Sequence, residues 1–286
     1  MKGLALLCLI LPTWSFGQSI TVHQELQFAK YLMDKKYFDE ATYTLEKLLL
    51  RNTSTSQTDT INYWLGNTYY SWQLLEKSNE YFDRVSTALP RLKSESAFFS
   101  AFNSAYLRSF DAARQKLLTF TPQDSAQQIL KNFELAGIHL LQRNFNGFDS
   151  LSRNFSNTHF WVNQQQQDLI VFRDKLHANS KKSPFQAGLL SALVPGAGKF
   201  YAGYKGQGFL NFVVAALLGV QAWEGYHKAG PESFRFIAYA TLFTTFYIST
   251  IWGSVLAVKI KQNEISKTLD AQILFDLHIP IRSAFH

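Results

Sequence analysis

The chain has 286 residues, a formal charge of +7 and 47% hydrophobic residues, room for one large or two modest domains. Its one cysteine, Cys8, stands close to the N-terminus. The rest of the chain therefore has no sulfur for a disulfide, a thiol nucleophile or a cysteine-ligated metal.

The average composition hides a sharp change. Residues 20–180 are rich in Gln, Asn, Ser, Phe and Tyr with charge interspersed, while residues 185–258 are mostly apolar and hold most of the glycine. From Lys181 onward ten Lys/Arg face five Asp/Glu. The basic excess thus lies beside the apolar region, where it suits anionic lipid headgroups. No basic stripe with interleaved aromatics occurs in residues 20–180, so nucleic acid is not an expected partner.

The chain opens with Lys2 and an apolar run from about Leu4 to Leu11. Pro12 breaks the run, and Ser15 and Gly17 supply small residues before a cut at Gln18. This is the layout of a secretory signal peptide over 1–17, and the run is too short to be a comfortable span. A lipoprotein reading of Ala5-Leu6-Leu7-Cys8 is disfavoured by the bulky Leu7. Ordinary cleavage starts residues 18–180 on the outer face of the membrane, which in a bacterium is the periplasm.

Residues 21–178 hold no alternating strand pattern but do hold recurring helix pairs. Phe38-Asp39-Glu40-Ala41, Leu75-Glu76-Lys77-Ser78, Phe110-Asp111-Ala112-Ala113 and Phe145-Asn146-Gly147-Phe148 line up at spacings of 37, 35 and 35 residues. A period near 34 with two helices per unit is the tetratricopeptide signature. Leu65-Gly66 and Tyr69 resemble that repeat's Leu-Gly and Tyr positions. Four degenerate units then predict a solenoid over residues 18–180, capped by a helix over 163–178. One repeat cannot bury its apolar face alone, so the stack forms a continuous core with a concave surface suited to a protein partner. Trp64, Tyr70, Trp72 and Trp161 are candidate interaction anchors, with packing between repeats as the other reading of each.

Ser183 and Pro184 form a helix start. Residues 185–194 are too short to span and predict an interfacial or re-entrant helix ending at Pro195-Gly196. Spanning helices follow over about 206–223 and 234–258, joined by a loop with the turn signal Gly230-Pro231. Tyr204, Trp223, Tyr226 and Trp252 lie near the ends, where interfacial aromatics belong. Asn211, Ala215 and Gly219 recur every four residues on the first helix; Thr241, Thr245, Ser249, Gly253 and Ala257 do so on the second. Small residues at that interval let helices approach in lipid. The two rows are expected to face each other with Asn211 hydrogen-bonded across the seam, or the Thr241 row to line a partner helix in a homo-oligomer.

The glycine-rich turn is neither a P-loop, since no Gly-Lys-Ser/Thr closes the frame, nor a dinucleotide fingerprint, since no strand precedes it. Pro195, Gly196, Gly198, Tyr201 and Gly203, followed by Gly206 and Gly208, resemble the Pro-Gly-x-Gly-x-x-Tyr-x-Gly motif of small bacterial domains with two transmembrane helices. Such domains are widespread in envelope proteins of the Bacteroidota and have no assigned activity. The resemblance covers about residues 184–262, and Lys199 stands where that family usually has Gln. It implies a membrane hairpin, often joined to a signal peptide and a soluble part.

Orientation is contested within the sequence. The signal peptide puts residues 18–180 outside, whereas Lys181, Lys182, Lys199, Lys205, Lys259, Lys261 and Lys267, against Lys228 and Arg235 near the loop, argue the reverse. The signal peptide acts first and takes precedence. Residues 263–286 form a tail in which residues 273–279 alternate like a strand, either pairing with a partner's sheet or loosely ordered.

The seven histidines form neither H-x-x-H nor H-E-x-x-H, and no G-x-S-x-G elbow occurs. No enzymatic activity and no cofactor or metal is expected. The sequence predicts an all-α protein: a tetratricopeptide-like solenoid, a short interfacial or re-entrant helix and a two-helix transmembrane hairpin. Its expected role is a non-enzymatic scaffold at the bacterial inner membrane, binding protein through the repeats and lipid through the hairpin. The competing expectation is a subunit of a transport or lipid-handling complex in which the hairpin is the working part.

Overall fold

A computed structural model describes residues 21–51, 54–155 and 159–285. The expected signal peptide, with Cys8, lies outside the described residues. Thirteen helices and no strand occur among the described residues. The chain divides into two compact units within the fifth helix, after Ser96.

The first unit holds α1 (Val22–Asp34), α2 (Phe38–Leu49), α3 (Thr55–Ser71), α4 (Leu75–Arg84) and the start of α5 (Pro90–Tyr106). Thr21 and Ser54 begin α1 and α3 with reciprocal capping boxes to Gln24 and Gln57, which satisfy the otherwise orphaned N–H groups of a first turn. Ala29, Leu45, Leu48, Ile61, Leu65 and Tyr69 form the core. A methyl on Gly66 would sit 2.5 Å from the ring of Phe82, so the absence of a side chain there is what lets α4 lie against α3. The Ser78 hydroxyl donates to the Gly66 carbonyl at 2.8 Å in the same contact. Glu46 accepts from the hydroxyls of Tyr69 and Tyr81 at 2.9 and 3.0 Å. Burial and that carboxylate push both phenols up from their ordinary pKa.

The second unit holds the rest of α5, α6 (Phe110–Thr119), α7 (Ser125–Leu141), α8 (Phe145–Ser152), α9 (Phe160–Ser180), α10 (Pro184–Leu193), α11 (Ala197–Ala202), α12 (Lys205–Ala229) and α13 (Phe234–Phe285). α12 and α13 are each long and apolar enough to cross a membrane. The apolar stretch in α12 is little buried within the chain, unlike a soluble protein's core helix.

One turn recurs between the two helices of each pair. Among the described residues, Lys36, Gln73, Arg108 and Arg143 are the non-glycine residues in the left-handed region, at φ 64°, 63°, 62° and 60°. In each case the next N–H donates to the carbonyl five residues back: Tyr37 to Leu32, Leu74 to Tyr69, Ser109 to Ser104 and Asn144 to His139, at 2.8–2.9 Å. This is the Schellman closure of a helix C-terminus. The left-handed positions carry the same 37, 35, 35 spacing as the sequence pattern.

The C-terminal residues differ most from expectation. Residues 263–285 are neither a strand nor a separate tail. They continue α13, which is 52 residues long and so extends about 78 Å. No Gly or Pro interrupts it between Ser254 and Ile279. Pro280 removes the bond to the Asp276 carbonyl and falls in the last two turns of the helix. Leu269, Ile273, Leu277, Ile281 and Phe285 recur every four residues and are all buried, and this stripe selects a helix over the two-residue alternation.

Candidate functional site

The second unit places two features together: a docked C-terminal helix and a glycine-rich helical hairpin.

The buried stripe of α13 packs against α7 and α9. It also reaches α5, where the Phe285 ring lies 5.7 Å from Phe98 and the His278 ring stacks on Phe102 at 4.9 Å. Leu277 fills the space above Gly137 on α7, where a methyl would meet its side chain at 2.4 Å. Asp270 is buried on the same segment. It pairs with Arg143 at 2.7 Å and lies 3.6 Å from Arg108. Those arginines are the left-handed turn residues of the third and fourth helix pairs, so each turn both closes its helix and contributes a cation to α13. α13 thus covers the face formed by the first helices of these pairs.

Two buried carboxyls of this unit depart from their ordinary titration range. Glu134 on α7 is buried, and desolvation holds it well above the usual carboxylate range. Burial, and then the carboxylate of Asp168 on α9, push Asp276 up to about 6. The docked helix therefore holds the Asp276 proton more tightly than the unfolded chain does. This carboxyl weakens docking as pH rises from about 4 through 6, and adds nothing further above that. Asp276→Asn is expected to stabilise the second unit at pH 7.5 and to leave it nearly unchanged at pH 4, measured by urea unfolding at both values. A gain of equal size at both values would remove Asp276 as the cause.

The other feature is the hairpin of α10 and α11. Ser183 caps α10 through Gln186 N–H. α10 then runs antiparallel to α13, with Gly188 against Val255 and the Tyr247 hydroxyl donating to the Ala192 carbonyl at 2.8 Å. The chain turns at Pro195-Gly196, where Gly196 has φ 87°, and α11 returns along α10. Tyr201 closes the open end: its hydroxyl accepts from Ser183 N–H at 3.0 Å and donates to Gln186 at 2.9 Å. At the centre the Ser191 and Ser254 hydroxyls lie 2.7 Å apart, and Ser191 also accepts from Gly198 N–H at 2.9 Å. Both serines are fully buried.

The motif glycines differ in what they do. Gly196, Gly198 and Gly208 are jammed: a methyl on Gly196 would lie 2.2 Å from the Gly208 carbonyl oxygen, and one on Gly198 would lie 1.9 Å from that of Ala187. Gly203 has φ 97° but open space around it, and Gly206 has open space and no positive φ. Pro195 is half-buried beside them.

The helix–helix rows fall unequally. Ala215 is buried, Gly219 lies 3.4 Å from Phe243 by its absent methyl, and Asn211 is half-buried beside Gly196. On α13 the expected row divides along its length. Thr241, Thr245 and Ser249 are exposed, Gly253 is half-buried next to the Lys199 side chain, and Ala257 is buried. The buried positions are Thr250, Ser254, Ala257 and Val258. α13 packs on α10 and α11 as well as on α12, and the Ser191–Ser254 and Gly188–Val255 contacts set this buried face against α10. The buried polar contacts accordingly run through Ser191 and Ser254.

The aromatic candidates are partners in packing as well as surface groups. Trp64 packs half-buried on the first unit's core with the Lys30 ammonium 5.6 Å from its ring. Trp72 stacks with Phe38 and Tyr69. Tyr70 and Trp161 are half-buried. Among the described residues no three His, Asp or Glu are placed to hold a metal ion. Comparison with protein-family models, with curated proteins and with solved structures finds no match for this chain.

Proposed function

We propose that this chain is a non-enzymatic scaffold, anchored in the bacterial inner membrane, whose tetratricopeptide-like helix pairs hold a protein partner on the periplasmic side. The observation that carries this reading is α13, one helix that belongs both to a candidate span and to the packing of the third and fourth pairs. The four equal turns support the repeat, and the motif at residues 195–208 supports the membrane domain.

The partner's surface follows from register. Six residues before the left-handed turn residues stand Lys30, Asn67, Phe102 and Gly137. The last two are apolar or bare and meet α13, which occupies that face itself. The first two are polar, on α1 and α3, and lie near Trp64 and Tyr70. A polar rim around rigid aromatics is the composition of a protein-recognition surface. The corresponding face of the first two pairs is therefore the one left for a partner.

A photo-crosslinking residue at Lys30 or Ser71 of the full-length protein in its native membrane is expected to give adducts of discrete mass. Their yield should fall at least about fivefold with Trp64→Ala. Adducts from Thr245 alone, with none from α1 or α3, would favour the competing role in which the hairpin is the working part.

A further inference from the structure

A cavity of about 650 Å³ lies between α9 and α13, where the two helices reach the apolar region. Lys175, Lys182 and Lys261 line it beside Ala178, Ile265 and Leu269, with Glu264 as the one carboxylate in the lining. Lys261 lies 3.4 Å from Glu264 and 5.7 Å from the centre of the Tyr204 ring. Lys175 and Lys182 have no ion pair with a described residue, so three cations face one anion.

The site is built rigidly. The Gln262 amide donates to the carbonyls of Asn179 and Lys182 at 2.9 and 2.7 Å, and the Asn179 amide donates back to the Gln262 carbonyl at 3.1 Å. These bonds fix the end of α9 on α13. Lys182 immediately precedes the Ser183 cap of α10, and Lys261 follows Val258, the last residue of the expected span. If residues 234–258 cross the bilayer, as the proposed function has it, this cavity opens at headgroup level.

We infer that the cavity binds the phosphate headgroup of an anionic membrane lipid, held by Lys175, Lys182 and Lys261, with its glycerol backbone on the Lys182–Lys261 side that faces the span. Charge complementarity supplies the attraction, since a phosphodiester carries the charge the lysines lack. The mixed lining suits an amphiphile. The same phosphate chemistry is offered by a free phosphate ester, so the test includes both sources.

Full-length protein in neutral detergent would be titrated with phosphatidylglycerol, with phosphatidylcholine and with inorganic phosphate. Native mass spectrometry would count retained lipid, and thermal melting would be followed in parallel. Phosphatidylglycerol should be retained about tenfold more tightly than phosphatidylcholine. The combined variant Lys175→Gln, Lys182→Gln and Lys261→Gln should lose that preference. The charge-matched variant Lys35→Gln, Lys47→Gln and Lys77→Gln should keep it. Thr268→Glu, which adds an opposing charge to the cavity and leaves the lysines in place, should also lose it and decides the matter if the triple variant loses helix content. Phosphate that stabilises the parent but not the pocket triple, without any lipid preference, assigns the site to a free phosphate ester. Equal retention by parent, pocket triple and Thr268→Glu, or equal loss in the two triples, overturns the inference. Release of the protein from membranes by carbonate without detergent would instead overturn the membrane reading.

Discussion

Gly137→Val is expected to destabilise the second unit by about 3 kcal/mol, the upper part of the overpacking range. The added side chain enters space that Leu277 fills, because even a methyl would lie 2.4 Å from one Leu277 methyl and 2.9 Å from its branch carbon. Leu277 has no exposed surface to retreat to, and α13 is held on both sides of the contact by Ile273 and Ile281, also fully buried. Leu277→Ala alone should cost about 3 kcal/mol through lost burial and the cavity left behind. The double variant should cost less than the sum of the two by at least about 1 kcal/mol, since the valine occupies the cavity that the alanine opens. Urea unfolding of the full-length protein, followed by near-UV dichroism, gives all three values. Additivity within about 0.5 kcal/mol would mean that the two residues do not touch.

The glycines at residues 196–206 should separate into a graded series. Gly198→Ala places a methyl 1.9 Å from a backbone oxygen, on Ala187. A backbone atom cannot rotate away, so α10 and α11 must part and the Gly198–Ser191–Ser254 contact goes with them. The expected loss is about 3 kcal/mol, seen as reduced yield and a lower melting temperature in detergent. Gly203→Asn should cost about 1 kcal/mol, because Asn tolerates the left-handed region and meets no neighbour there. Gly206→Ala should be neutral or slightly stabilising, since it adds a good helix former in open space. Equal effects at all three would indicate that the hairpin of α10 and α11 does not form.

The sequence revealed different parts of this arrangement unequally. The helix pairs were visible because the turn needs a left-handed residue and then an apolar helix start, and that requirement repeats at a nearly fixed interval. The ends of α10 followed from Ser183, Pro184 and the Pro195-Gly196 break, whereas α11 had no signal of its own. The docking of α13 was hidden because residues 273–279 also satisfy a two-residue alternation. Only the longer stripe from Leu269 to Phe285 favours a helix, and nothing local says which surface would receive it. The small-residue row on α13 is covered within the chain only at its C-terminal end, at Gly253 and Ala257, while Thr241, Thr245 and Ser249 face outward. The neighbouring row through Thr250 and Ser254 is the one that meets α10, at Ser191. The cavity lysines lie far apart in sequence, at 175, 182 and 261, and become a group only through the Gln262–Asn179 contact.

α13 is one helix whose last turns belong to the packing of α5, α7 and α9. Hydrogen exchange of residues 265–285 in the full-length protein, reconstituted in lipid nanodiscs, tests this most directly. Backbone amides in a buried, continuous helix open only with the unit that holds them. Protection of these residues comparable to that of α7 is expected. Exchange within seconds across the segment, with α7 still protected, would contradict it.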